Sequence, residues 1–164
     1  MQSNIVFLAR YHGVDFYFGR EGPENERFIF ASEDSGGNGG ALARSVSKRS
    51  GIPLPGPREG GFDGTRYRTV FDSGSSSTLV LITSVSTGFP TDQNIRKGLT
   101  SFLTSKDRVQ FHQAAGGPDR YWAPLMGTGS GGLGWEAAAK AVAQGFAHGI
   151  ERAVRLKAGL PERA

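Results

Sequence analysis

Two stretches in which glycines separate a strand from a helix decide the fold of this chain. They are FIFASEDSGGNGGALARSV, residues 28–46, and YWAPLMGTGSGGLGWEAAAKAV, residues 121–142. In each, a short apolar run typical of a buried strand leads into glycines, and helix-forming residues follow. Backbone N–H groups at the start of a helix lack partners within the helix, and glycine lets an anion approach them closely. Both stretches therefore predict a strand, a turn suited to an anionic ligand, and a helix.

The rest of the chain also alternates between strand-like and helix-like segments. STLVLITSVS, residues 77–86, predicts another buried strand, and TDQNIRKGLTSFLTSK, residues 91–106, predicts an amphipathic helix capped by Thr91. The alternation indicates an α/β domain with a largely parallel sheet. Shorter strands are predicted near residues 4–9, 15–19, 67–74 and 120–127.

The length of 164 residues suits one domain that covers residues 1–164. Residues 52–65, IPLPGPREGGFDGT, contain three prolines and four glycines. This composition is typical of an ordered surface loop or of a flexible connector, and both interpretations stay open. Residues 158–164 are expected to form a C-terminal tail.

The composition excludes several kinds of site. The chain has no cysteine, which excludes disulfides, a thiolate nucleophile and a cysteine zinc site. The three histidines, His12, His112 and His148, show no metal-binding spacing, so neither a metal nor another cofactor is expected.

Hydropathy and charge indicate location and partners. No apolar run approaches the ~20 residues that span a membrane, and the N-terminus lacks signal-peptide features, so we expect a cytoplasmic protein without a membrane partner. The net charge is +4 and the pI is about 9.7, which favours anionic partners. The basic residues are dispersed, and a nucleic-acid-binding or scaffold protein is one alternative.

The glycine loops do not match the common nucleotide motifs. The second loop has no lysine at the P-loop position, so an NTPase is disfavoured. GTGSGG, residues 127–132, fits the spacing G-x-G-x-x-G, but a Rossmann motif belongs in the first strand–helix unit. Glycines can also serve only as turn formers. Two such loops in one small α/β domain nevertheless favour a ligand that carries phosphate.

Both loops resemble those of a known family, the macrodomains, which bind ADP-ribose. Residues 121–135, YWAPLMGTGSGGLGW, resemble the macrodomain pyrophosphate loop. Residues 30–51, FASEDSGGNGGALARSVSKRSG, are similar to a segment of the subgroup that includes terminal ADP-ribose protein glycohydrolase and the antitoxins of DNA ADP-ribosylating toxins. LVLITS (79–84) and TDQNIRKGLTSFL (91–103) look like that subgroup's next strand and helix. The resemblance covers about residues 28–146 and implies a three-layer α/β/α fold with a mixed sheet.

The resemblance also implies which residues contact the ligand. Four of them would lie beside the distal ribose and the diphosphate: Ser32, Asp34, Gly39 and Gly40. Six would belong to the loop that cradles the phosphates: Gly127, Thr128, Gly129, Ser130, Gly131 and Gly132. Three would end the strand that closes the pocket floor: Ile82, Thr83 and Ser84.

The departures from the family pattern leave catalysis uncertain. In the related glycohydrolase, a lysine attacks the ribose and an aspartate assists, and the corresponding residues here are Ser84 and Gly131. Neither side chain can form the covalent lysine intermediate or act as the acid or base. Asp34 and Asn38 are candidates to position a water, although a carboxylate at such a place is equally typical of a turn.

The sequence therefore supports one leading hypothesis and alternatives to it. The leading one is binding of ADP-ribose or a related NAD-derived nucleotide through two glycine-rich loops at helix N-termini. The first alternative is an ADP-ribosyl hydrolase that removes ADP-ribose from protein or nucleic acid by means of a positioned water. The other is the nucleic-acid-binding or scaffold protein, for which binding should depend steeply on salt.

Overall fold

The computed structural model describes residues 6–11, 14–19, 22–24, 26–60, 64–72, 74, 76–109, 120–129 and 131–157. The strands are β1 (Val6–Tyr11), β2 (Val14–Phe18), β3 (Phe28–Asp34), β4 (Tyr67–Phe71), β5 (Thr78–Val85) and β6 (Tyr121–Trp122). The principal helices are α1 (Ala41–Ser50), α2 (Thr91–Leu103) and α3 (Trp135–Lys157).

Four strands form a mixed sheet in the order β4-β5-β3-β6. β3 is parallel to both of its neighbours, β5 and β6, whereas β4 is an edge strand antiparallel to β5. β1 and β2 pair with each other in a separate antiparallel hairpin. The α/β class and the mixed sheet are thus confirmed, and the macrodomain-like three-layer arrangement stays a prediction.

β3 and β5 are buried on both faces, as their uninterrupted apolar sequences predict. Because successive strand residues point to opposite faces, each strand contributes to two cores. Phe28 and Phe30 belong to the core that contains residues of α2 and α3. Ile29 and Ala31 belong to the core that contains Val46 of α1. The sheet is therefore held from both sides, and its position fixes where the helices begin.

The two helices of the larger core approach closely because glycines of α3 lie against leucines of α2. A Cβ at Gly145 would lie 2.8 Å from Leu99 Cδ1, and one at Gly149 would lie 2.6 Å from Leu103 Cδ1. Residues four positions apart share a helix face, so both glycines serve one contact. α3 has 23 residues, but no helix in the described part of the chain has the length and apolarity to cross a membrane.

Two local predictions are wrong. Thr91 does not cap α2, since the N-cap is Pro90 and the Thr91 hydroxyl donates instead to the carbonyl oxygen of Gly131, at 3.1 Å. The strand predicted at residues 120–127 is limited to the two residues of β6. Pro124 has no N–H to donate to a neighbouring strand, which is consistent with this early end.

Replacing Phe102 by Ala is expected to lower the free energy of unfolding by about 3–5 kcal/mol, because it leaves a cavity in the core. Phe102 is fully buried, and its ring makes edge-to-face contacts with Phe28, Phe30 and Tyr67 at centroid distances of 5.1, 5.6 and 5.4 Å. Urea denaturation measures the loss. Phe71→Ala is the control, since Phe71 is 60% exposed, and it should cost less than ~1 kcal/mol. Equal losses in the two variants would contradict this packing.

Candidate functional site

The loops that follow β3, β5 and β6 lie at one edge of the sheet. The three strands are parallel and β3 lies between the other two, so their carboxyl ends point the same way. α1 and α2 follow β3 and β5 along the chain, and α3 follows β6. We call this the carboxyl edge. In open α/β sheets, ligands bind outside the carboxyl ends of the strands.

The loop between β3 and α1 is folded around the carboxylate of Asp34. Asp34 Oδ1 accepts hydrogen bonds from the backbone N–H groups of Gly36 and Asn38, both at 2.9 Å. Asn38 Nδ2 donates to both carboxylate oxygens at 3.3 Å. Ser32, two residues earlier on the same side of β3, is half-buried. Asp34 therefore organises the turn, and it occupies two amides that an anionic ligand would otherwise bind.

The N-terminus of α1 lacks an internal partner of this kind. Its N-cap is Gly40, no side chain caps it, and its first turn contains no acidic residue. A Cβ at Gly40 would meet no atom of the described residues within 4 Å, whereas one at Gly39 would lie 2.9 Å from the Cβ of Ala43. The positive end of the helix dipole lies at this point. A side chain at Gly40 would therefore meet no neighbour among the described residues, and the helix dipole favours negative charge at this end.

Two glycines in the loop between β6 and α3 are required by the protein's own packing. Gly127 has a φ of +89°, and a Cβ there would lie 2.9 Å from side-chain atoms of Thr91 and Ile95 on α2. A Cβ at Gly131 would lie 2.7 Å from the carbonyl oxygen of Gly127 and 2.8 Å from Thr91 Cγ2. These two positions hold the loop against the first turns of α2.

Other residues of the same loop are open. Among the described residues, a Cβ at Gly129, Gly132 or Gly134 would meet no atom within 4 Å, and Thr128 is exposed. Ser130, which the resemblance also places beside the phosphates, lies outside the described residues. The open glycines, rather than the packed ones, are where a ligand has room to approach the backbone.

The predicted floor residues Ile82, Thr83 and Ser84 are buried in β5. Ile82 belongs to the core below α2, and Thr83 Oγ1 accepts a hydrogen bond from Arg58 Nη2 at 3.2 Å. Ser84 Oγ donates to the carbonyl oxygen of Glu33 at 3.3 Å, beside a shift in the register between β3 and β5. All three side chains are therefore engaged inside the fold.

Sequence reasoning missed a buried ion network beside the β3–α1 loop. Glu33, whose side chain is 1% exposed, accepts two hydrogen bonds from Arg68, from Nε at 2.8 Å and from Nη2 at 2.7 Å. Arg58 Nη2 lies 3.5 Å from Glu33 Oε2, and the Arg58 side chain is 5% exposed. A buried carboxylate needs such partners. One feature of the sequence could have indicated this network: Glu33 lies on the same face of β3 as the buried Ile29 and Ala31.

Hydrogen bonds of the same arginines connect residues of the 52–65 segment with the β3–α1 loop. Arg68 Nη2 donates to the carbonyl oxygen of Gly37 at 3.2 Å. The backbone N–H of Arg58 donates to the carbonyl oxygen of Gly36 at 2.8 Å. Of the two interpretations of this segment, an ordered loop therefore fits its described part. The network also fixes the backbone next to Asp34 and Asn38.

The two tryptophans that flank the β6–α3 loop differ in burial. Trp122 is half-buried, and its indole lies so close to Gly22 that a Cβ there would overlap it. Trp122 also packs against the core that contains Ile29 and Ala31. Trp135, the first residue of α3, is 66% exposed and follows the open Gly134, so it does not belong to the core.

The described residues also line cavities outside the loops of the carboxyl edge, and one of these is lined by His148, Glu151, Arg152 and Arg155 of α3. No group of three or more His, Asp or Glu side chains able to hold a metal occurs in the described ranges. A cavity of about 310 Å³ is lined by Thr104, Ser105, Lys106 and Val109. It lies beyond the C-terminal end of α2, away from the carboxyl edge, and shares no residue with the loops described above.

Replacing Arg68 by Met is expected to lower the free energy of unfolding by about 3 kcal/mol, because it removes the main partner of the buried Glu33. Adding Glu33→Gln should recover part of this loss. The control is Arg96→Met, which breaks an ion pair with Asp92 whose side chains are 36% and 38% exposed, and it should cost about 0.3–0.5 kcal/mol. Urea denaturation compares the three variants with the wild type. A small, equal loss at both arginines would show that the buried network contributes little.

No protein-family model matches this sequence, and no curated protein matches it. Function is therefore inferred from the geometry of the chain itself and from the motifs described above.

Proposed function

We propose that this chain binds ADP-ribose or a related NAD-derived nucleotide at the carboxyl edge, as a macrodomain-like module of three layers. The diphosphate lies in front of α1 and against the open glycines of the β6–α3 loop. The single observation that carries this proposal is the uncapped N-terminus of α1, which has an open Gly40 and no acidic residue in its first turn. The identity of the nucleotide rests on the sequence resemblance.

Two sets of backbone amides are needed for useful affinity. A charge at an exposed helix terminus gains only about 0.3–1 kcal/mol from the dipole, which alone gives weak binding. The Gly132 N–H already donates to the carbonyl oxygen of Gly129 at 3.0 Å, so in the β6–α3 loop the second set consists of the backbone N–H groups at Thr128 and Gly129, where the structure leaves room at Gly129. A diphosphate carries enough oxygens to bind both sets, whereas a single phosphate reaches one.

Asp34 supports binding of a ribose rather than of a phosphate. Its Oδ1 already accepts two backbone hydrogen bonds, while Oδ2 accepts one long bond from Asn38 Nδ2, at 3.3 Å. A carboxylate oxygen with free lone pairs accepts hydrogen bonds from hydroxyl groups and repels phosphate. The ligand is therefore oriented with its hydroxyls toward Asp34 and its phosphates toward Gly40.

Two positions favour binding over hydrolysis. Ser84, which stands in place of the nucleophilic lysine, is 4% exposed and donates to a backbone carbonyl. Gly131, which stands in place of the aspartate, has no room for a side chain unless Gly127 and Thr91 move. A hydrolase would have to rely on Asp34 or Asn38 to direct a water, and the experiment below separates the two activities.

Isothermal titration with ADP-ribose tests the proposal, with Gly129→Ala as the decisive variant. A Cβ at Gly129 meets no atom of the described part of the chain, so the melting temperature should not change, but it occupies the space of a phosphate against the loop. We expect the affinity to fall by about tenfold or more, the loss of one or two charge-assisted hydrogen bonds. Gly56→Ala, which is equally open but lies in another loop, should change neither quantity.

Three outcomes decide the matter. Absence of heat with both ADP-ribose and NAD would overturn the proposal, and so would an equal effect of the two alanine variants. Binding followed by release of ADP-ribose from a modified protein or oligonucleotide, lost in Asp34→Ala, would replace the binding module by the hydrolase.

A further inference from the structure

β4 forms one edge of the four-stranded sheet, and within the described part of the chain no strand pairs with its outer side. Proteins usually protect such an edge with lysine, proline or a bulge, because its free N–H and C=O groups can pair with another strand. The sequence of β4, YRTVF, contains neither lysine nor proline, and its pairing with β5 is regular. We call the outer side of β4 the β4 edge.

The hydrogen bonds around β5 show which backbone groups of β4 point outward. The N–H of Thr83 donates to the carbonyl oxygen of Arg66, directly opposite, at 3.0 Å. In an antiparallel ladder, bonded pairs alternate with pairs whose N–H and C=O groups point away from the partner strand. The N–H of Thr78, opposite Phe71, accordingly donates to the carbonyl oxygen of Arg27 at 2.8 Å. Three residues therefore direct their backbone groups to the β4 edge: Tyr67, Thr69 and Phe71.

These three positions are complementary to themselves. When two β4 strands pair antiparallel about Thr69, the two Thr69 residues lie opposite each other, and Tyr67 of each copy lies opposite Phe71 of the other. This register pairs all three outward-facing residues, and each pair can exchange two backbone hydrogen bonds. Aromatic pairs and threonine pairs across two strands are favourable. The pairing would also cover Phe71, which is 60% exposed.

The charges that flank β4 fit the same register. Arg66 precedes the strand and Asp72 follows it, so pairing about Thr69 places Arg66 of each copy opposite Asp72 of the other. Pairing about Arg68 would instead place two arginines opposite each other. Opposite charges directly across two strands stabilise the pair, and like charges destabilise it. Backbone, aromatic and charge patterns thus select a second copy of this chain as the partner.

We propose that this chain self-associates through the β4 edge, as a two-fold symmetric dimer in which the two four-stranded sheets join into one. A contact along a five-residue strand belongs to the small, transient class of interfaces below about 1,200 Å², so the dimer is weak and depends on concentration. The proposal does not depend on the proposed function, since no residue of the glycine-rich loops takes part.

Sedimentation equilibrium of the full chain between about 10 μM and 1 mM tests the proposal. We expect the average mass to rise from 17.5 kDa toward twice that value. Asp72→Arg and Arg66→Asp each replace two attractions by two repulsions, so each alone should weaken association by about tenfold or more. An equimolar mixture of the two variants should recover association, because every opposing pair then has opposite charges.

Amide hydrogen exchange gives a second readout with an internal control. The N–H groups of Arg68 and Val70 face β5, so their protection should not depend on protein concentration. Those of Tyr67, Thr69 and Phe71 should gain protection only as the concentration rises.

Matched controls separate the β4 edge from charge in general. Lys48→Asp on α1 and Glu136→Arg on α3 reverse exposed charges elsewhere and should associate like the wild type. Thermal melting checks that all variants fold, since Arg66→Asp also removes a contact with the Phe89 ring at 5.3 Å. A mass that stays at 17.5 kDa up to about 1 mM, equal losses in the controls, or a mixture that does not recover association would each overturn the proposal, whatever the outcome with ADP-ribose.

Discussion

The parallel pairing of β3 with β5 is the constraint on which the rest of the structure depends. It runs in register from Phe28–Thr78 to the ends of both strands, where it shifts beside Ser84. The pairing turns alternate residues of two apolar strands toward opposite cores, so α1 packs on one side and α2 with α3 on the other. It also sends both following loops to the same edge. A slip of one residue would exchange the two faces and bring Glu33 into the apolar core.

The glycines at this edge divide into two groups with different physical roles. Gly127 and Gly131 let the β6–α3 loop pack against α2. A side chain at either position would collide with Thr91 or, at Gly131, with the backbone of Gly127. Those at 40 and 129 have free space in front of them. Arg68, which pairs with the buried Glu33, also donates to the carbonyl oxygen of Gly37. It therefore fixes the backbone of the β3–α1 loop. The edge thus combines a rigid frame with a few unoccupied backbone positions, and this combination suits the recognition of phosphate.

The sequence predicted those features that depend on local patterns. The strands β3 and β5 follow from their apolar runs. The contacts of Glu33 with Arg58 and Arg68 could not be predicted, because the partners lie far apart in the chain. Thr91 was misjudged for the same reason, since its hydroxyl bonds to Gly131 across 40 positions. Which glycines are open depends likewise on side chains from α2.

An amide-resolved NMR titration with ADP-ribose tests the central claim most directly, because it reports on every backbone N–H separately. If the carboxyl edge binds the nucleotide, the largest shifts will occur at Gly40, Ala41, Thr128 and Gly129. Residues at the far end of the sheet, such as Phe71 and Asp72, will not shift. The largest shifts at that far end, or around the cavity at Thr104 and Val109, would contradict the account.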